Sequence, residues 1–373
     1  MAKAVYVGVD SKARKMKKAY IGIGGKARKV KKMYIGVGGK ARLCYSAELE
    51  RYGMATALST ARYDMRAATV GKYALFAGGL APNPFFGNDV SSSVDAYNTS
   101  LTKSTPTELS CKRCGHAAAS VGGYALFAGG ASSHNFLGYG TLVSSVDAYD
   151  ASLTRSAAHI IGATVAIGGA AVGNYALFAG GTVYSQINKD NVTSDVLAYD
   201  PSLTFTTAPL LSVARANVKG ASVGNYALFA SGRAGSFCTT VDAYNASLTR
   251  TTATALSSTK NNSAAATVGN HAIFVGNTAS ADIYDASLTK TSAAILSTAR
   301  NRLAATTVGD YAIFSGGGVA DFCDASLTRS NIGTSMTGYD MGAATIGDYA
   351  LFAGGHSGEK SDTAYDSVEV YTA

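Results

Sequence analysis

The stretch Val70-Gly71-Lys72-Tyr73-Ala74-Leu75-Phe76-Ala77-Gly78-Gly79 decides the fold, because it returns with small edits along most of the chain. The other cores are Gly122-Gly123-Tyr124-Ala125-Leu126-Phe127, Gly173-Asn174-Tyr175-Ala176-Leu177-Phe178 and Gly224-Asn225-Tyr226-Ala227-Leu228-Phe229. Gly269-Asn270-His271-Ala272-Ile273-Phe274, Gly309-Asp310-Tyr311-Ala312-Ile313-Phe314 and Gly347-Asp348-Tyr349-Ala350-Leu351-Phe352 complete a set of seven. The leading glycines lie 51, 51, 51, 45, 40 and 38 residues apart. A period of that size belongs to propeller blades.

Each unit reads as four short strands. The first is small and apolar, such as Ala67-Ala68-Thr69-Val70, and the second is the Tyr-Ala-Leu-Phe run. The Gly-Xaa pair between them suits a two-residue type II′ hairpin, since Gly supplies φ > 0 at the first central position. The third strand is Val94-Asp95-Ala96-Tyr97 and the fourth Leu101-Thr102-Lys103-Ser104-Thr105, with a turn such as Asp150-Ala151-Ser152 between their counterparts. Small side chains in the first strand fit the crowded centre of a ring. After the last third strand, Val368-Glu369-Val370-Tyr371, only Thr372-Ala373 remain. Leu49 to Ser59 resembles a fourth strand without the first three strands of a unit before it, so it is expected to supply the outer strand of the last blade.

These features resemble the kelch family. Kelch units carry a double glycine after the second strand, here Gly78-Gly79, Gly129-Gly130, Gly180-Gly181, Gly316-Gly317 and Gly354-Gly355, and a Val-x-x-Tyr third strand. Two copies depart, with Ser231-Gly232 and Gly276-Asn277, Cys323 replaces one tyrosine, and the usual fourth-strand tryptophan is missing because the chain has no Trp. The resemblance implies an all-β, seven-bladed kelch-like propeller over residues 47–373.

Residues 1–46 are different material. Lys3-Ala4-Val5-Tyr6-Val7-Gly8-Val9 recurs around Tyr20 and Tyr34, and Lys-Ala-Arg follows each copy at 12–14, 26–28 and 40–42. That pattern predicts one β-hairpin per 14 residues. The first 45 residues hold 13 Lys or Arg and one acid, whereas the rest holds 19 basic and 23 acidic residues. The basic balance therefore belongs to the front alone. Its charges sit in hairpin repeats, which favours a solvated strand face over nucleic-acid binding. Three hairpins have little core of their own, so a partner, or self-association as a trimer, is expected to complete it.

The hairpin phrase resembles the leading segments of tail and baseplate proteins of phages and prophages of Gram-positive bacteria. The resemblance implies attachment to other tail or baseplate proteins through Tyr6, Tyr20, Tyr34, Lys12, Arg14, Lys26, Arg28, Lys40 and Arg42. It further implies a virion or tail-like particle protein, made in the bacterial cytoplasm without a signal peptide, whose propeller touches the host.

Little chemistry is legible. No apolar run is long enough for membrane insertion. Cys111-Lys112-Arg113-Cys114 with His116 offers three zinc ligands where a structural site wants four. The five histidines are scattered, and Arg62, Arg113, Arg215 and Arg300 occupy equivalent turns without the Asp boxes a sialidase would add. Asp64, Asp89, Asp190 and Asp340 would form a glycosidase pair only if folding happened to join them. No catalytic residue, metal or cofactor is expected.

Function is then sought where the copies differ. Leu80 to Ser93, Ala131 to Ser145, Thr182 to Asp195 and His356 to Ser367 are long insertions between second and third strands. They hold Phe85, Phe86, Asn88, Asp89, His134, Asn135, Phe136, Tyr139, Tyr184, Gln186, Asn188, Asp190, Glu359, Asp362 and Tyr365. Aromatics beside amides and carboxylates suit a host cell-surface glycan, and equally a protein. A receptor-binding role is expected, with a purely structural tail component or a surface glycan hydrolase as the alternatives.

Overall fold

A small strand followed by a glycine turn builds each blade from the inside outward. In the computed structural model, Arg66–Val70 pairs with Tyr73–Ala77, then comes Val94–Asn98, and Lys103–Ser104 lies outermost. The structure describes residues 6–9, 12–15, 19–23, 26–30, 32–37, 39–46, 48–83, 87–135, 138–183, 191–260, 262–358 and 363–373. Six more antiparallel sheets repeat the order of the first. Their inner strands begin at Ala117, Gly168, Lys219, Ala264, Ala304 and Gly342. Each inner strand touches the inner strands on both sides, and Gly342–Ile346 returns to Arg66–Val70. The chain is an all-β, seven-bladed β-propeller with no helix among the described residues. As expected, Glu50–Ala55 closes the ring by pairing with Val368–Thr372.

The turn glycine at 71 has φ 53°, and the residue after it has no positive φ, as type II′ requires. A Cβ there would also stand 2.9 Å from the Ala151 methyl of the next blade. The fourth strands start later than the leucines suggest, at Lys103, Arg155, Phe205, Arg250, Lys290 and Arg329. Leu101, Leu153, Leu203, Leu248, Leu288 and Leu327 instead sit in the turn at φ 57–66°. The cause is local. Asp150 Oδ1 accepts from the Ser152 N–H, the Ser152 hydroxyl and the Thr154 N–H, and so curls the backbone at Leu153. The leucine packs against the blade core, which offsets the left-handed strain.

Buried ionic clusters stiffen the blades. Arg62, Arg113, Arg215, Lys260 and Arg300 each pair with the third-strand carboxylate of their own blade: Asp95, Asp147, Asp242, Asp282 and Asp321. A second cation from the fourth strand approaches each carboxylate from outside, as Arg155 approaches Asp147 at 2.9 Å. A serine on the preceding linker caps each one, as Ser110 caps Asp147. The arginines at equivalent turns are thus structural. In blade 3 the linker is one residue shorter and all four members change together, to Gly162, Thr164, Leu197 and Phe205, of which Leu197 and Phe205 join one apolar cluster. Third-strand tyrosines stitch blades together: Tyr149 donates to Thr107 O at 2.8 Å and Tyr244 to Pro209 O at 2.8 Å. Burial pushes their phenols up, so they stay protonated donors.

Two rings of hydrogen bonds encircle the axis. At one level, the fourth inner-strand residue of each blade sends a hydroxyl to the carbonyl of the same position in the preceding blade. Thr69 donates to Thr345 O, Ser120 to Thr69 O, Ser222 to Ala171 O, Thr267 to Ser222 O, Thr307 to Thr267 O and Thr345 to Thr307 O. Ala171 is the break, because it has no hydroxyl to send to Ser120. Ala171→Ser is expected to supply that step and raise stability by about 0.5–1.5 kcal/mol, read as a higher urea midpoint at unchanged m-value.

The front segment forms three separate two-stranded hairpins, Tyr6–Val9 with Lys12–Lys15, Tyr20–Ile23 with Lys26–Lys29 and Lys32–Val37 with Lys40–Ser46. Tyr34 and Ile35 on the third, and Ile21 on the second, are exposed.

Candidate functional site

The second ring lies where linkers enter the inner strands. Asp64, Gly115, Ala166, Asn217, Asn262, Arg302 and Asp340 occupy equivalent positions, all left-handed, with φ between 46° and 60°. Ala166 N–H donates to Gly115 O, Asn217 to Ala166 O, Arg302 to Asn262 O, Asp340 to Arg302 O and Asp64 to Asp340 O, at 2.7–3.1 Å. Gly115 N–H donates instead to Asp64 Oδ2 at 2.9 Å. This ring rims the mouth of the axial channel.

The insertions share that face, because linker and insertion pair at Tyr63↔Leu80, Cys114↔Ala131, Val165↔Thr182 and Tyr339↔His356. The first two insertions are folded rather than loose. Leu80–Asn83 and Gly87–Val90 form one hairpin, His134–Asn135 and Gly138–Tyr139 another, and Asn88 pairs with His134 to join them into a small four-stranded sheet.

Beneath that sheet is a polar cavity of about 300 Å³. Asn88, His134 and His356 reach it from the insertions, and Tyr63, Asp64, Asn217, Asn262, Arg302 and Asp340 from the linkers and rim. Asp64, Arg66, Asn217, Lys219, Ser263, Leu303 and Asp340 line both this cavity and a deeper one of about 230 Å³ along the inner strands. Asp64 pairs with Arg66 at 2.8 Å, and Asp340 with His356 Nε2 at 3.1 Å and Arg302 at 3.8 Å. The His356 ring also meets Tyr63 edge-on, with centroids 4.6 Å apart. Burial, and then Arg66, push the Lys219 ammonium down to about 8, against the opposing pull of Asp340 and Asp64. Burial also lowers His134, with Asp64 acting in the opposite sense.

Of the candidate ligand residues, the structure brings Asn88 and His134 together at this cavity. Asp89 is exposed and accepts from Asn83 at 3.0 Å. Tyr365 lies elsewhere, its hydroxyl 3.2 Å from that of Thr337. Asn135 and Tyr139 are on the second hairpin, with only their backbones described. Phe85, Phe86, Phe136, Tyr184, Gln186, Asn188, Asp190, Glu359 and Asp362 lie outside the described residues. On the front segment Tyr34 is described as exposed, while for Tyr6, Tyr20, Lys12, Arg14, Lys26, Arg28, Lys40 and Arg42 only the strand positions are described.

Folding does join Asp64 and Asp340, which spacing alone did not suggest, and it brings two of the scattered histidines to one cavity. Both carboxylates are engaged by cations, whereas a glycosidase acid needs an apolar enclosure. Cys114 is buried and its Sγ–H donates to Ala131 O at 3.5 Å. Burial raises that thiol, the opposite of what a zinc-ligating thiolate needs. Repeat register is the signal that could have found the rim. At the first inner-strand position the copies read Arg66, Ala117, Gly168, Lys219, Ala264, Ala304 and Gly342, so a cation replaces a small residue in blades 1 and 4 alone.

A scan of protein-family models matches none to this chain, and a search of curated proteins returns no relative.

Proposed function

We propose that this chain is the receptor-binding component of a phage tail or phage-tail-like particle, with the insertion face of the propeller binding a cell-surface glycan. Residues 1–46 would attach it to other tail or baseplate proteins. The observation that carries the reading is the small sheet built from two insertions over a polar axial cavity. A ring needs neither for its own closure, and binding residues concentrate on loops held by rigid scaffolds. Amides and imidazoles facing a cavity of this size suit a sugar residue. In the front segment, isolated hairpins with exposed Tyr34 and Ile35 need a further surface to be stable, which fits docking into a larger assembly.

Labelled full-length chain, applied to a panel of Gram-positive cell walls and a glycan array, is expected to bind a subset of them. Asn88→Ala combined with His134→Ala should weaken that binding at least tenfold. Shortening residues 80–93 and 131–145 to the length of the blade 5 connection should abolish it. Unchanged binding by the shortened chain would reject the insertion face. No binding to any wall would leave the structural alternative, a decoration or docking platform.

A further inference from the structure

We infer that the neck between the two axial cavities is a binding site for one oxyanion group, a carboxylate or a phosphate ester, held by Lys219 and Ser263 beside Arg66. Three cationic side chains, Arg66, Lys219 and Arg302, line the upper cavity with the carboxylates of Asp64 and Asp340, and Arg66, Lys219 and both carboxylates reach the deeper one as well. Both carboxylates have close partners: Arg66 for Asp64, and Arg302 with the His356 ring nitrogen for Asp340. Among the described residues no carboxylate stands within ion-pair distance of Lys219, and Asp64 and Asp340 act on it only from farther away. Ser263 is 3% exposed, and its hydroxyl has no hydrogen-bond partner among the described residues.

A buried hydroxyl without an acceptor and an ammonium without a counter-ion, at one constriction, call for the same occupant. An anion satisfies both through charge-assisted hydrogen bonds. A cation would be repelled by Lys219, and a neutral sugar would leave the ammonium without a counter-charge. The upper cavity gives room for the rest of the ligand, with Asn217 and Asn262 on its rim. The assignment rests on the glycan reading only for the sugar that would carry the anion.

The test is calorimetric titration of the full-length chain with inorganic phosphate, with glucuronate and with glucose. Phosphate or glucuronate should bind at pH 7 and glucose should not. Binding by phosphate alone points to a phosphate ester, and binding by glucuronate alone to an acidic sugar. Glucuronate carries the same charge at pH 7 and pH 9.5, so weaker binding at pH 9.5 would trace to deprotonation of Lys219, the group lowered to about 8. The other charged or titratable groups facing the site are Asp64, Arg66, Arg302, Asp340, His134 and His356, and the Lys219→Arg variant, whose guanidinium keeps its charge at pH 9.5, separates the lysine from them. Lys219→Met should weaken binding at least tenfold and Ser263→Ala by about three- to tenfold. Lys219→Arg should retain it, which separates lost charge from a disturbed fold. Absence of binding by both anions, or full affinity in Lys219→Met, overturns the site. A chain that binds anions but no cell wall keeps the site and loses the receptor reading.

Discussion

Arg215→Met is expected to lower the unfolding free energy by about 3–5 kcal/mol, measured by urea denaturation at pH 7. The guanidinium is fully buried, pairs with Asp242 at 2.9 Å and donates to Ser231 O, Phe229 O and Val213 O at 2.9–3.0 Å. Removing it leaves a buried carboxylate with only Ser212 and the outer Arg250, and an uncompensated buried charge is the costly outcome. Blade 3 points to the contrasting result. Ser212→Gly, Arg215→Thr, Asp242→Leu and Arg250→Phe together copy its uncharged arrangement and should return stability to within about 1–2 kcal/mol of the parent. If the fourfold variant is as unstable as the single one, the clusters are not interchangeable modules. The same chemistry gives a pH signature at Asp282. Burial opposes ionisation there, but the Ser257 hydroxyl and N–H and the Lys260 ammonium outweigh it and hold the carboxyl below its usual range. A folded value below the unfolded one means the contribution is present at neutral pH and is lost as pH falls through the carboxylate range.

Deleting residues 1–59 should be as damaging, and deleting residues 1–46 nearly silent. The longer deletion strips Glu50–Ala55 from Val368–Thr372 and so exposes an edge strand whose residues are all buried in the closed ring. It removes Arg51 from Glu369, where they meet at 2.5 Å, and the Thr56 carbonyl from Tyr97. It also removes the Ser59 cap from Asp95 and the Leu58 contact with Asp366. These losses sum to several kcal/mol. They should lower the melting temperature by roughly 10 °C or more or leave the chain aggregated through its open edge. A peptide covering residues 47–60, added in trans, should restore part of the loss. The shorter deletion keeps all of these contacts, so a melting temperature within about 2 °C of the parent is expected, and, on the proposed attachment role of residues 1–46, loss of the chain from particles. A strongly destabilised 1–46 deletion would tie the hairpins to the ring's own stability.

Blade count and closing strand are legible in the sequence because a repeat constrains every copy at once: one turn glycine and one apolar run per unit fix the register. The clustered arginines and serines were visible as repeated letters, but their role was not. Arg113 and Asp147 lie 34 residues apart and meet only when the third strand folds back beside the linker. The axial cavity was least legible, because its members come one or two at a time from different blades. Asp64, Asn217 and Asp340 are unremarkable linker residues until seven linkers converge, and Lys219 reads as a stray charge in an alanine strand.

By itself the sequence determined the ring, its closure by an outer strand within Leu49 to Ser59 and the distinct basic hairpins, since periodic local signals suffice for strands and turns. The tertiary structure alone decided which charges are spent inside the blades and which face the axis. Ion pairing and desolvation depend on distances between residues that the chain order keeps far apart.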